Sequence, residues 1–198
     1  MESRVKFLGH PVHPMLIVFP LGLLATAVIF DIIYLVSNAS HWTQAAYYMI
    51  AAGVIGGLAA AIPGALDWWS VPRGTRAKRI GLIHGVGNVI VVALFALSWF
   101  LRRPTPATPP TEAIVAGLIG LVIAAVTGWL GGEMVDRLAV GVDPGAHLNS
   151  PSSLTALPAS ADVTRGARSA AMPSGRDRRA YPQASYAGAE RRAGGVRG

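Results

Sequence analysis

The order of apolar and polar residues divides the chain into four long apolar segments followed by a polar C-terminal part. The apolar segments cover residues 17–36, 45–66, 80–101 and 113–135. About 20 mostly apolar residues are enough for a helix to cross the hydrocarbon core of a bilayer. Because the connections are short, consecutive helices are expected to lie antiparallel beside one another. The pattern predicts an all-α integral membrane protein, with an up-down bundle of four transmembrane helices in residues 1–149.

The polar part, residues 150–198, has no apolar periodicity and is rich in Ala, Pro, Ser, Gly and Arg. Such a segment cannot bury enough apolar surface to offset the entropy lost on ordering, so a disordered, basic cytoplasmic tail is predicted. Its arginines are not interleaved with aromatic residues on a folded basic face, and no nucleic-acid partner is expected. Membrane lipids are the expected partners of so apolar a chain.

Composition narrows the chemistry that the chain can carry. Charged residues make up 14% of it, too few for the surface of a soluble domain. The chain contains no cysteine, which excludes disulfides, iron–sulfur clusters, thiolate metal sites and covalently attached haem. A metal or a haem would therefore be held by His, Asp, Glu, Met or the backbone.

The basic residues near the predicted helix ends indicate an orientation. One side of the membrane carries Arg4, Lys6, Arg73, Arg76, Lys78 and Arg79, whereas the other carries only Arg102 and Arg103. Cytoplasmic loops hold the excess of Lys and Arg. Both termini are therefore expected in the cytoplasm.

Ionisable and imidazole side chains gather at the predicted cytoplasmic end of the bundle. They are His10, His13, Asp67, His84, Glu133 and Asp136. In the motif His10-Pro-Val-His-Pro14, proline after each histidine restrains the backbone. Histidine is a common neutral ligand of divalent metals and haem iron, so His10, His13 and His84 are candidate ligands. Alternatively, the prolines organise the entry into the first helix and the histidines contact headgroups, which is the favoured interpretation for His10.

His84 lies about one turn inside the third segment, with Asn88 on the same helix face. Groups at that depth usually face the bundle interior and are functional, although a hydrogen bond to a neighbouring helix is the structural alternative. Asp67 and Glu133 would support the site by fixing histidine tautomers, pairing with arginine or relaying protons, and arginine pairing is the commonest of these. Asp31, near the other end, is expected to be a capped or partly hydrated carboxylate, with a proton entry as the alternative.

A weak internal repeat relates the two halves of the predicted bundle. Residues 62–67 and 126–131 have similar sequences near the ends of the second and fourth segments, and His13 and His84 stand near the starts of the first and third. Two hairpins related by a pseudo-twofold axis would have this pattern. It makes His13 and His84 counterparts.

Four stretches carry a resemblance to a known family. They are His10-Pro-Val-His-Pro14, Gly64-Ala-Leu-Asp67, Arg76-Ala-Lys-Arg-Ile-Gly-Leu-Ile-His84 and Gly128-Trp-Leu-Gly-Gly-Glu133. Over residues 7–142 the chain resembles the bacterial membrane family with domain of unknown function 2231. The resemblance implies a four-helix integral membrane protein with no settled activity, which with the Lys and Arg bias is expected in the bacterial cytoplasmic membrane. Some relatives resemble fusions to Rieske-type iron–sulfur domains, which leans the family toward redox work at the membrane, but this chain has no cysteine and so no such domain. Leu138 stands where the family pattern leads us to expect a histidine.

The leading hypothesis is an electron-transfer component that binds b-type haem or a divalent metal through His13 and His84. Membrane redox partners or a second copy of the chain would then be its partners. A non-enzymatic structural or accessory subunit is one alternative, and a proton or small-solute pathway that begins at Asp31 is another. The sequence contains no hydrolase, kinase or dinucleotide-binding motif, so activity as an enzyme by itself is not expected.

Overall fold

The computed structural model describes residues 1–163, which form four long helices and a short N-terminal β-hairpin. The helices are α1 (Val12–Ser37), α2 (His41–Ser70), α3 (Arg76–Arg102) and α4 (Thr111–Asp136). All four are long and apolar enough to cross a membrane. The predicted four-helix membrane architecture is therefore confirmed.

Each helix extends beyond the apolar segment that predicts it, by one to five residues at each end. α1 already begins at Val12, so Pro14 lies in its first turn, where the missing proline N–H has no intrahelical acceptor to lose. α2 continues to Ser70, so Asp67 lies inside this helix, not at its end. α3 begins at Arg76 after Thr75, whose side chain caps the helix by accepting a hydrogen bond from the Lys78 N–H.

A β-hairpin precedes α1. Strands β1 (Lys6–Phe7) and β2 (His10–Pro11) pair antiparallel through a tight turn at Leu8 and Gly9, which both have positive φ. Glycine adopts this conformation without steric cost. A side chain at Gly9 would also meet Ser153, since its Cβ would lie 2.7 Å from that of Ser153. Glycine thus allows the close contact between the hairpin and the segment that follows α4.

The helices pack as two hairpins, α1 against α2 and α3 against α4. The same contact recurs in both. Leu24 of α1 packs on Gly53 of α2, and Phe95 of α3 packs on Gly120 of α4. The sequence offset from Leu24 to Phe95 equals that from His13 to His84. The repeat of helix contacts therefore supports the predicted pairing of the two histidines.

The register of the repeat between α2 and α4 differs from the predicted one. Aligning 62–67 with 126–131 matches Gly64 with Gly128, but in the structure Gly64 and Gly131 have equivalent contacts, each against a histidine. Gly128 has no neighbour within 4 Å of the position of a Cβ, whereas Gly131 contacts the neighbouring helix. Small residues let membrane helices approach closely, so glycine contacts define the register better than sequence similarity does.

A buried ion pair joins α1 to α3 in the half of the bundle away from the β-hairpin. Both guanidinium NH2 groups of Arg102 donate to the carboxylate of Asp31, at 2.6 and 2.5 Å. The Arg102 and Asp31 side chains are 0% and 2% exposed. Arg102 also donates to Ser98, and Ser98 donates to the carbonyl oxygen of Ala113 on α4. The expectation of a capped or partly hydrated Asp31 is wrong, because the guanidinium replaces water as its partner.

Residues Met1–Asp162 form one compact unit. The predicted tail begins inside the described part of the chain, where Ser153 donates to the carbonyl oxygen of Leu8 at 3.1 Å. Residues 164–198, to which most of the predicted tail belongs, lie outside the described residues. The domain boundary between residues 149 and 150 stays a prediction.

Candidate functional site

The N-terminal segment lies across the end of the bundle that contains both candidate histidines. Asp67 of α2 accepts hydrogen bonds from the Ser3 hydroxyl at 2.6 Å and from the backbone N–H groups of Arg4 and Val5 at 2.7 and 3.3 Å. Asp67 therefore holds the N-terminal segment, and the expected pairing with arginine is wrong for this residue. The N-terminal ammonium of Met1 is anchored too, since it donates to a carbonyl oxygen beyond α4.

Lys6 connects the same segment to the chain after α4. Its ammonium lies 2.5 Å from a carboxylate oxygen of Asp143 and 3.1 Å from one of Glu2. The hydrogen bond to Asp143 is the main reason that the pKa of Lys6 is raised above its ordinary value. Because the pKa is raised, this contact stabilises the fold at neutral pH and loses its effect as the pH rises through the Lys6 pKa.

His13 is held in α1 by a backbone group of α2. Its Nδ1 lies 2.8 Å from the carbonyl oxygen of Ala60. A carbonyl only accepts, so Nδ1 carries the proton and donates it. Gly64, one turn after Ala60, makes the approach feasible, since a Cβ there would lie 2.8 Å from Nδ1 of His13. The glycine thus exposes the carbonyl to the imidazole.

His84 is held in the same way in the second hairpin. Its Nδ1 donates to the carbonyl oxygen of Thr127 on α4 at 2.8 Å. Gly131, one turn after Thr127, leaves room for the ring, because a Cβ there would lie 3.1 Å from Cε1 of His84. Both histidines are therefore fixed in orientation and in tautomer by a helix carbonyl.

The two imidazole rings lie 6.5 Å apart between centroids in a T-shaped arrangement, with an interplanar angle of 87°. Their surroundings differ. Asn88 lies 3.2 Å from Nε2 of His84 and donates to the His84 carbonyl oxygen, and the Thr127 hydroxyl donates to Asn88. The residue that corresponds to Asn88 beside His13 is Ile17, and Nε2 of His13 has no hydrogen-bond partner in residues 1–163. Nε2 of His13 is therefore available to act as a ligand.

The other predicted site residues lie apart from this pair. His10 is exposed on β2, where its Nε2 lies 3.2 Å from the Ser153 hydroxyl. Glu133 accepts a hydrogen bond from Arg76 at 2.6 Å, as the expected arginine pairing predicts. In the described part of the chain no three His, Cys, Asp or Glu residues converge as metal ligands. The structure thus brings together His13, His84 and Asn88 and leaves His10 outside.

The part of the chain that contains this site matches a known protein family. Residues 9–144 match the family described as a predicted membrane protein, DUF2231. The chain belongs to this family. The DUF2231 region includes all four helices, both histidines of the pair and the glycines that accommodate them. No curated protein and no solved structure matches the chain.

Proposed function

We propose that this DUF2231 protein binds haem iron or a divalent metal ion between His13 and His84 and serves as an electron-transfer component of the membrane. One observation carries the proposal. Both histidines donate Nδ1–H to a helix carbonyl, which leaves Nε2 unprotonated on the other side of each ring. Metal-ligating histidines almost always donate their second nitrogen in this way, because the bond fixes the ring and raises its basicity.

The separation of the rings agrees with ligation of a single ion. Two imidazoles that bind one metal ion through a nitrogen, each at ~2.1 Å, must have ring centroids no more than about 6.5 Å apart. The observed separation is 6.5 Å. Asn88 would have to turn away from Nε2 of His84, and the Thr127 hydroxyl and the His84 carbonyl are its remaining partners. The bound iron or copper would supply the one-electron chemistry, while the two carbonyls would keep the imidazoles in place.

The proposal predicts that either histidine is indispensable for the bound group. His13→Ala or His84→Ala should each remove most of the haem or metal from the purified protein, and the double variant should add little further loss. Absorbance spectra distinguish haem from a metal ion, which elemental analysis identifies. His10→Ala and His41→Ala are the matched controls, since both side chains are exposed and lie outside the pair. Both controls should retain the wild-type content.

A structural role is the second candidate, and a specific observation favours it. Each histidine bond links the two helices of one hairpin, α1 to α2 and α3 to α4. If the histidines only fasten helices, protein from iron-, copper- and zinc-replete cells should contain neither haem nor stoichiometric metal. Each alanine variant should then lose about 1 kcal/mol of stability, additively. The third alternative, a proton pathway from Asp31, loses its entry group to the ion pair with Arg102.

We further propose that the membrane is the bacterial cytoplasmic membrane, with both termini on the cytoplasmic side. The ion pair supports this orientation. Because Asp31 balances the charge of Arg102 inside the bundle, Arg103 is left as the exposed basic residue next to α3 at that end. Reporter fusions at Ser40 and Ala107 should read as outside the cytoplasm and a fusion at Gly74 as inside. The reverse pattern would place the histidine pair on the outer side.

A further inference from the structure

A cleft of about 400 Å³ opens where the loop after α2 leads into α3. Its walls include Trp68 of α2, loop residues 74–75, and Arg76, Lys78, Arg79 and Leu82 of α3. Three of these side chains are cationic, and all of them belong to the end of the bundle that is predicted to face the cytoplasm. The cleft is separate from the histidine pair, because neither histidine lines it.

Trp68 forms a fixed wall of the cleft. Its indole N–H donates to the carbonyl oxygen of Lys78 at 3.1 Å, and the Lys78 ammonium donates back to the Trp68 carbonyl oxygen at 2.7 Å. The same ammonium lies 3.8 Å from the centroid of the Trp68 ring. Gly81 lets the indole lie against α3, since a Cβ there would be 2.7 Å from Cδ1. These contacts hold the indole and the ammonium in place before any ligand arrives.

The cleft has an excess of positive charge. Arg76 is paired with Glu133, and the Lys78 ammonium is bound to carbonyl oxygens. Arg79 is exposed and has no acidic partner in residues 1–163. A guanidinium presents a planar fork of N–H donors that matches the oxygens of a phosphate. The local charge therefore favours a phosphate-bearing anion.

We propose that this cleft binds the phosphate headgroup of an anionic phospholipid, with Arg79 as the main contact. Leu82, Ile83 and Val86 follow Arg79 along one face of α3, and each is about half exposed. A headgroup at Arg79 would thus place its acyl chains along an apolar helix face. Tryptophan belongs at the headgroup level, and basic pockets between transmembrane helices are known to bind anionic headgroups.

The test is lipid retention by the full-length protein in detergent, measured by native mass spectrometry at physiological salt. Phosphatidylglycerol and phosphatidylcholine are the probes. The wild type should retain one phosphatidylglycerol and little phosphatidylcholine. Arg79→Gln should lower this retention roughly tenfold, the equivalent of one charge-assisted hydrogen bond. Arg73→Gln is the matched control, because Arg73 is also exposed and lies in the loop just before α3, but does not line the cleft.

Three results would overturn the proposal. Equal retention of both lipids would show that the headgroup charge is not recognised. Equal losses in Arg79→Gln and Arg73→Gln would show diffuse attraction to a basic loop, which salt screens, in place of a site. A third arm adds inorganic phosphate to lipid-free protein. Phosphate binding as tight as that of phosphatidylglycerol, with the same dependence on Arg79, would assign the cleft to a soluble phosphate compound.

Discussion

Replacing Arg102 with leucine is expected to lower the free energy of unfolding by about 3–5 kcal/mol. The reason is that Asp31, 2% exposed, would keep a charge in the bundle core with neither water nor a guanidinium to compensate it. Ser98 would also lose its arginine partner. The measurement is the unfolding midpoint of the detergent-solubilised protein on heating or in denaturant.

Arg103→Leu is the matched control for this prediction. Arg103 is the next residue and is exposed, and its guanidinium lies over the rings of Trp99 and Phe100, at 5.4 and 6.0 Å from their centroids. Arg103→Leu should lower the free energy of unfolding by about 1 kcal/mol or less. Removing both charges, as Asp31→Leu with Arg102→Leu, should recover much of the stability because no unpaired charge remains. Equal effects of Arg102→Leu and Arg103→Leu would mean that the pair is not shielded from water.

The fold was predictable because lipid imposes a simple rule on sequence. A chain segment that crosses the hydrocarbon core must form its backbone hydrogen bonds internally and present apolar side chains to the lipid. Each membrane-spanning helix therefore appears in the sequence as an uninterrupted apolar segment. The helix ends were less predictable. Asp67 and Ser70 still belong to α2, because polar residues are as compatible with a helix in the headgroup region as with a loop.

The candidate site was predictable only in part. His13 and His84 could be recognised as counterparts from their positions at the starts of α1 and α3. The carbonyl groups that accept their hydrogen bonds could not be predicted, because every helix residue offers a carbonyl. The glycines were the available signal: Gly64 and Gly131 leave the carbonyls one turn earlier open to an imidazole. The true partners of Asp67 include two backbone N–H groups, which have no signature in the sequence.

The sequence does contain a signal for the pairing of Asp31 with Arg102. Arg102 precedes Arg103 and Pro104, a pattern typical of a helix end at the membrane surface, and both arginines therefore looked like loop charges. Yet the offset from Asp31 to Arg102 is the same as that from His13 to His84. Equivalent positions on α1 and α3 meet across the pseudo-twofold axis, so the repeat itself predicts that these two charges are close.

Alanine at Gly64 is expected to destabilise the protein by about 1–3 kcal/mol, the usual cost of overpacking. A Cβ at this position would lie 2.8 Å from Nδ1 and 2.9 Å from Cε1 of His13, so the imidazole would have to leave the Ala60 carbonyl. Thermal unfolding in detergent gives the stability. If His13 is a ligand as proposed, the bound haem or metal should decrease as in His13→Ala, although His13 itself is unchanged.

Gly132→Ala is the comparison that isolates this contact, because it makes the same substitution in a helix of the same bundle where the Cβ would meet nothing within 4 Å. Alanine has a higher helix propensity than glycine by up to about 1 kcal/mol, so this variant should be neutral or more stable than the wild type. Gly64→Ala is therefore expected to lower the unfolding midpoint, and Gly132→Ala to leave it unchanged or raise it. A shift in the same direction would mean that the imidazole moves aside at little cost, and that the Ala60 carbonyl does not fix its position.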